Sequence, residues 1–113
     1  VQLGDFDGAI NNYNLALAGG PLYADIYLNR GNLFYLRRDF PAAIRDYSEA
    51  LRLGYAAPEL VYLNRGMAYQ SHGEYELAES DYRTALDLLP RWPLPAEKLE
   101  MLEIARQSGR APQ

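Results

Sequence analysis

Apolar residues recur along this chain with the period of a helix. Ala43, Tyr47 and Ala50 stand four and three apart, as do Ala78, Tyr82 and Ala85, and Ala9, Tyr13 and Ala16. Such spacing gathers one apolar stripe on a helix and leaves polar residues on the rest of its surface. Local punctuation agrees. Pro58 suits the first turn of a helix, where its missing N–H costs nothing. Asp39 can cap a helix that takes Pro41 into its first turn, and Asp5 can do the same before Phe6. Gly73 can adopt the left-handed conformation that ends a helix. The pattern predicts helices over 5–18, 24–37, 40–53, 59–72, 75–89 and 95–108. Their connections are short, so consecutive helices should be antiparallel neighbours.

The stripes repeat. Tyr27-Leu-Asn-Arg-Gly-Asn-Leu-Phe34 returns as Tyr62-Leu-Asn-Arg-Gly-Met-Ala-Tyr69, 35 residues later. Ala43-Ile-Arg-Asp-Tyr47 follows the first block and Ala78-Glu-Ser-Asp-Tyr82 the second, again 35 apart. A further copy, Ala9-Ile-Asn-Asn-Tyr13, lies 34 residues before Ala43. A fixed period of this length marks stacked supersecondary units, each unable to bury its apolar stripe alone.

These blocks resemble the tetratricopeptide repeat family, whose pattern is Trp-x2-Leu-Gly-x2-Tyr, then Ala-x3-Phe, then Pro. Here it reads Tyr27-x2-Arg30-Gly31-x2-Phe34 and Tyr62-x2-Arg65-Gly66-x2-Tyr69, then Ala43-x3-Tyr47 and Ala78-x3-Tyr82. Pro21 and Pro90 close the outer repeats, and Tyr55 stands where the middle one would have proline. Arg30 and Arg65 depart from the usual leucine. The resemblance covers about residues 3 to 90 and implies an all-α, right-handed superhelical array of antiparallel helix pairs with a C-terminal capping helix. Residues 1–20 would be the second helix of a truncated first repeat, 21–57 and 58–92 two full repeats, and 93–113 the capping helix and tail.

Physical roles follow for the recurrent residues. Gly31 with Ala43, and Gly66 with Ala78, should let two backbones approach closely, with Tyr27, Phe34, Tyr47 and their copies filling the space around them. Helical spacing explains the ten tyrosines as packing. In a hairpin turning near residue 38, Arg30 and Asp46 reach the same height, and Arg65 and Asp81 are their copies. Each pair is either a partly buried fork, which suits arginine, or two solvated charges contributing about 0–1 kcal/mol.

The ends differ. Ala96, Leu99, Leu102 and Ala105 form one apolar side of the last helix, with Glu97, Glu100, Glu103 and Arg106 elsewhere, as expected of a cap with a polar outer face. Trp92 should pack beneath it. At the other end Val1–Leu3 is too short to be a helix, so Phe6, Ile10 and Leu17 should leave apolar surface exposed, a feature that attracts partners. The chain opens on Val1 and reads as cut from something longer. Further repeats or a second copy, giving a homodimer, would cover that end.

Composition narrows the function classes. A net charge of -4 disfavours nucleic-acid backbones and anionic membrane surfaces. No apolar run approaches the roughly 20 residues of a membrane helix. With no cysteine there are no disulfides, thiolate nucleophiles or cysteine-based zinc sites, and no compartment is selected. The one histidine, His72, falls in a turn before Gly73 and has no nucleophile or orienting group predicted nearby. Glu74, Glu76 and Asp87 lack ligand spacing, and there is no glycine-rich phosphate loop. No catalytic residue, metal site or cofactor is expected.

The resemblance implies a protein-interaction scaffold whose first helices line a concave groove for a partner's peptide or helix. On this chain the groove would present Asp25, Leu28, Asn29, Asn32, Tyr35 and Leu36, then Leu60, Leu63, Asn64, Met67, Gln70 and Ser71, with Lys98 and Met101 from the cap. The amides suit a peptide backbone and Met67 an adaptable apolar contact. Asn29 and Asn64 could equally bond the neighbouring hairpin. Some family members clamp a terminal carboxylate with two asparagines, two lysines and an arginine. Asn32, Asn64 and Lys98 fall on clamp positions here, but Leu28 and Leu94 occupy the two lysine positions. Such a clamp should hold a carboxylate poorly, which points to a partly apolar segment. The alternative is an assembly module that self-associates through its uncovered first helix.

Overall fold

The structure, a computed structural model, describes residues 23–110, with side chains described to residue 108. The expected helix over 5–18, and with it Phe6, Ile10 and Leu17, lies outside the described residues. Within them the chain forms helices α1 (Ala24–Leu36), α2 (Phe40–Arg52), α3 (Pro58–Ser71), α4 (Tyr75–Leu88) and α5 (Pro93–Arg110), with no strand. It divides into two compact units at Ala56–Ala57.

In the first unit α1 packs on α2. Asp39 starts α2 by accepting a hydrogen bond from the Ala42 backbone N–H at 3.3 Å, with Pro41 in the first turn. Phe40, Ala43, Tyr47 and Ala50, spaced three and four apart, point into the core together with Ala42. Both helices end in the same way. At the end of α1, Arg38 has φ 65°, and the Asp39 N–H returns to the Phe34 carbonyl at 2.9 Å. At the end of α2, Gly54 has φ 82°, and the Tyr55 N–H returns to the Ala50 carbonyl at 3.1 Å. Each left-handed residue lets the chain fold back onto carbonyls the helix cannot satisfy.

The second unit repeats the hairpin with α3 and α4 and adds α5 against α4. Its core gathers Leu63, Ala78, Tyr82, Ala85 and Leu102, with Trp92 packed against them from the turn before α5. Gly73 (φ 82°) ends α3 as predicted, with the Glu74 N–H bonded to the Tyr69 carbonyl at 2.8 Å.

Two expectations are corrected. α5 begins at Pro93 rather than residue 95, because prolines fit a first turn that needs no N–H partner. Its inward side holds Pro95, Leu99, Leu102 and Arg106, while Ala96 is exposed. Arg106 turns in because its apolar stem packs while Nη1 donates to Glu79 Oε1 on α4 at 2.8 Å. The outer face is consequently not uniformly polar: Met101 is 61% and Ile104 58% exposed.

Candidate partner-binding surface

The interior of each hairpin fixes what its surface can offer. Arg30 Nε and Nη2 donate to Asp46 Oδ2 and Oδ1 at 2.6 and 2.7 Å. In the copy, Arg65 Nε and Nη2 donate to Asp81 Oδ2 and Oδ1, both at 2.8 Å. Of the two readings the sequence left open, the fork is the one formed. Both aspartates are buried. Each guanidinium also lies over two rings, Arg30 above Tyr27 and Phe34 at 5.4 and 5.8 Å, and Arg65 above Tyr62 and Tyr69 at 5.4 and 5.6 Å. The hydrogen bond to its carboxylate holds each guanidinium above its ordinary range, against the pull of burial. Burial pushes the Asp81 carboxyl up and Arg65 pulls it down, with burial the stronger.

The glycines work differently from the close pairing with alanine expected above. A Cβ on Gly31 would meet Tyr47 Cε1 at 2.8 Å and Asp46 Cβ at 3.3 Å, and one on Gly66 would meet Tyr82 Cε1 at 2.7 Å and Asp81 Cβ at 3.2 Å. Ala43 and Ala78 are not among these nearest neighbours. Each glycine makes room for a tyrosine ring beside the fork.

The expected groove residues form one stripe on each first helix. On α1 it runs through Asp25, Asn29, Asn32 and Leu36, spaced four, three and four. Asp25, Asn29 and Leu36 are exposed, Leu36 to 71%, and Asn32 is half-buried. On α3 the copies are Leu60 and Ser71, exposed, with Asn64 and Met67 half-buried. Two groove expectations fail: Leu28 is 4% and Leu63 2% exposed. Apolar throughout, both side chains pack inward, Leu63 within the cluster that contains Leu102, so neither can touch a ligand. Tyr35 stacks edge-on against Phe40 at 5.4 Å. Gln70 is half-buried and accepts from the Tyr82 hydroxyl at 2.7 Å. Lys98 is half-buried and Met101 exposed on α5. The tyrosine–amide bonds were not foreseen. A tyrosine at the family's phenylalanine position was their signal, since a buried hydroxyl requires a partner.

Candidate chemistry of other kinds finds no support among the described residues. His72 is exposed at the end of α3. No three His, Asp or Glu side chains gather where they could hold a metal ion. No described helix is long and apolar enough to cross a membrane.

Comparison with known proteins agrees with this architecture. A family model for the tetratricopeptide repeat matches residues 1–59, and a second matches residues 60–91. A tetratricopeptide repeat protein 36 homolog from Nematostella vectensis is 38% identical over 55 residues, which are 49% of this chain and 30% of that protein. The chain thus spans less than a third of the length of that curated relative. The first TPR of Spaghetti (RPAP3), bound to the HSP90 peptide SRMEEVD, superposes with a TM-score of 0.81 at 25% identity, covering 90% of this chain and 80% of the other. The Arabidopsis OM64 TPR domain gives 0.79 at 27% identity, covering 90% and 84%. With the repeat register, the helical hairpins and these matches in accord, this chain belongs to the tetratricopeptide repeat family.

Proposed function

We propose that this chain is a protein-interaction scaffold holding a segment of a partner protein on the stripes carried by the first helices of its hairpins. One observation carries the reading. At equivalent positions α1 and α3 carry an amide, Asn29 exposed on one and Asn64 half-buried on the other, and each helix also exposes an apolar side chain, Leu36 on α1 and Leu60 on α3. An amide can hold a peptide backbone in either polarity, and the apolar positions favour a partly apolar segment. The solved relative that carries SRMEEVD supports peptide recognition in general. A charge-dominated clamp is disfavoured, because Leu28 and Leu94 stand at the two lysine positions.

Calorimetric titration with SRMEEVD as the free acid and as the C-terminal amide tests this. Amidation should weaken binding by less than about tenfold, whereas a clamp built on ionic hydrogen bonds would lose about ten- to a hundredfold or more. Asn29→Ala with Asn64→Ala should weaken both forms alike. A loss confined to the free acid would overturn the reading.

A further inference from the structure

Tyr47 and Tyr82 occupy the same place in their hairpins and are among the most deeply buried side chains described. Each carries a hydroxyl into the core, where it requires a partner. The partners are not equivalent. Tyr47 Oη donates to Asn32 Oδ1 at 2.7 Å, and Tyr82 Oη donates to Gln70 Oε1 at 2.7 Å. Asn32 corresponds in register to Met67, and Gln70 lies three residues further along α3, close to one turn. The first unit has Tyr35 at the place of Gln70, with its ring committed to Phe40.

A primary amide offers one acceptor oxygen and two donors on nitrogen. Tyr82 takes the oxygen of Gln70, which fixes the amide's orientation. No described group accepts from its Nε2. Nor is that nitrogen buried: among the described residues the buried side-chain nitrogen or oxygen without a partner is Nη2 of Arg106. Gln70 therefore carries an oriented, accessible donor pair at the edge of the α3 stripe.

We infer that Tyr82 is a positioning residue for partner binding: from the core it sets the Gln70 amide so that Nε2 donates to a carbonyl-type oxygen of the bound segment. This rests on the function proposed above. The oxygen belongs either to a backbone carbonyl or to a carboxylate.

Tyr82→Phe removes one oxygen and keeps the ring, and it can be read in two independent ways. Without ligand, NMR relaxation of the Gln70 side-chain amide should show it ordered in the wild type and loosened in Y82F. With SRMEEVD as probe, Y82F and Gln70→Ala should each weaken binding by about three- to tenfold, and the double variant by no more than either alone, since both remove one device. A penalty that persists on the amidated peptide assigns a backbone carbonyl, and one that vanishes assigns the carboxylate. An amide still ordered in Y82F overturns the positioning role whether or not any peptide binds. A loosened amide with unchanged affinity overturns its part in recognition and leaves the proposed function standing. No binding of either peptide by the wild type refutes the proposed function, and this role with it.

Discussion

The first hairpin turns through Arg37-Arg38-Asp39 and the second through His72-Gly73-Glu74, yet both chains take the same path. Arg38 and Gly73 each have positive φ, and the N–H that follows each returns to the carbonyl five residues back. Inside the hairpins the comparison runs the other way. The arginine fork and the glycine's contact with the tyrosine ring recur with the same partners, while the outward stripes pair Asp25 with Leu60, Asn32 with Met67 and Leu36 with Ser71. Packing constrains side-chain identity because the interior has no spare volume. A turn constrains only the backbone and tolerates an arginine at a cost of about 1 kcal/mol. The exposed stripe positions Asp25, Leu36, Leu60 and Ser71 are constrained by neither, and there the two hairpins differ.

Breaking a fork should separate the hairpins from wild type most sharply. Arg65→Ala leaves the Asp81 carboxylate buried without its guanidinium, and chemical denaturation should show a loss of about 3 kcal/mol. Arg30→Ala should cost a similar amount. Replacing Arg65 and Asp81 together by apolar residues should cost less than Arg65→Ala alone. The deficit should depend on pH with a definite sign. Asp81 already titrates above its ordinary 3.8, and losing Arg65 raises it further. A group raised in the fold contributes fully below its unfolded value and loses that contribution as pH rises through the folded one. The Arg65→Ala deficit should therefore shrink on acidification toward pH 3.8.

Gly66→Ala and Gly31→Ala come next. Each methyl would sit under 3 Å from a buried tyrosine ring, and overpacking should outweigh the helix propensity gained, for a net loss of about 1–3 kcal/mol in thermal or urea unfolding. Equal losses in both hairpins would confirm that the glycine–ring contact is equivalent in the two.

Exchanging the turn residues tests the opposite claim. Gly73→Arg should cost about 1 kcal/mol, and Arg38→Gly should gain somewhat less, because it also gives up the guanidinium contact with Phe40 at 5.4 Å. A loss from Arg38→Gly as large as that from Gly73→Arg would show the arginine to be held for its side chain.

The smallest effect lies on α4. Hydrogen bonds from Arg83 and Arg106 hold the Glu79 carboxyl below its ordinary 4.5. A depressed acid contributes stability that is complete above 4.5 and lost as pH falls through the folded value. Glu79→Gln should lower the melting temperature slightly at neutrality, and the difference from wild type should shrink as pH falls below 4.5.

Much of this was legible in the residues. The helices, the caps at Asp39 and Gly73 and the arginine–aspartate register follow from periodicity and from equal heights across a hairpin, both local matters. Less legible was which apolar residues face outward. Leu28 and Leu60 are the same type of residue, and only three-dimensional packing sends one inward and the other out. Arg106 was likewise misplaced, because its inward turn depends on Glu79, 27 residues away. The amide that meets each tyrosine hydroxyl could not be read from the repeat at all, since the two hairpins answer the same need from different positions.

The forks join residues only 16 apart in sequence. A contact of that span closes a short loop, and chains held together by short loops cross their folding barrier quickly. The ion pair, the ring beside it and the turn between them all lie inside one hairpin. Each hairpin then carries its own nucleus. Folding can nucleate in either hairpin, and the stacking of neighbouring repeats then completes the core that neither buries alone.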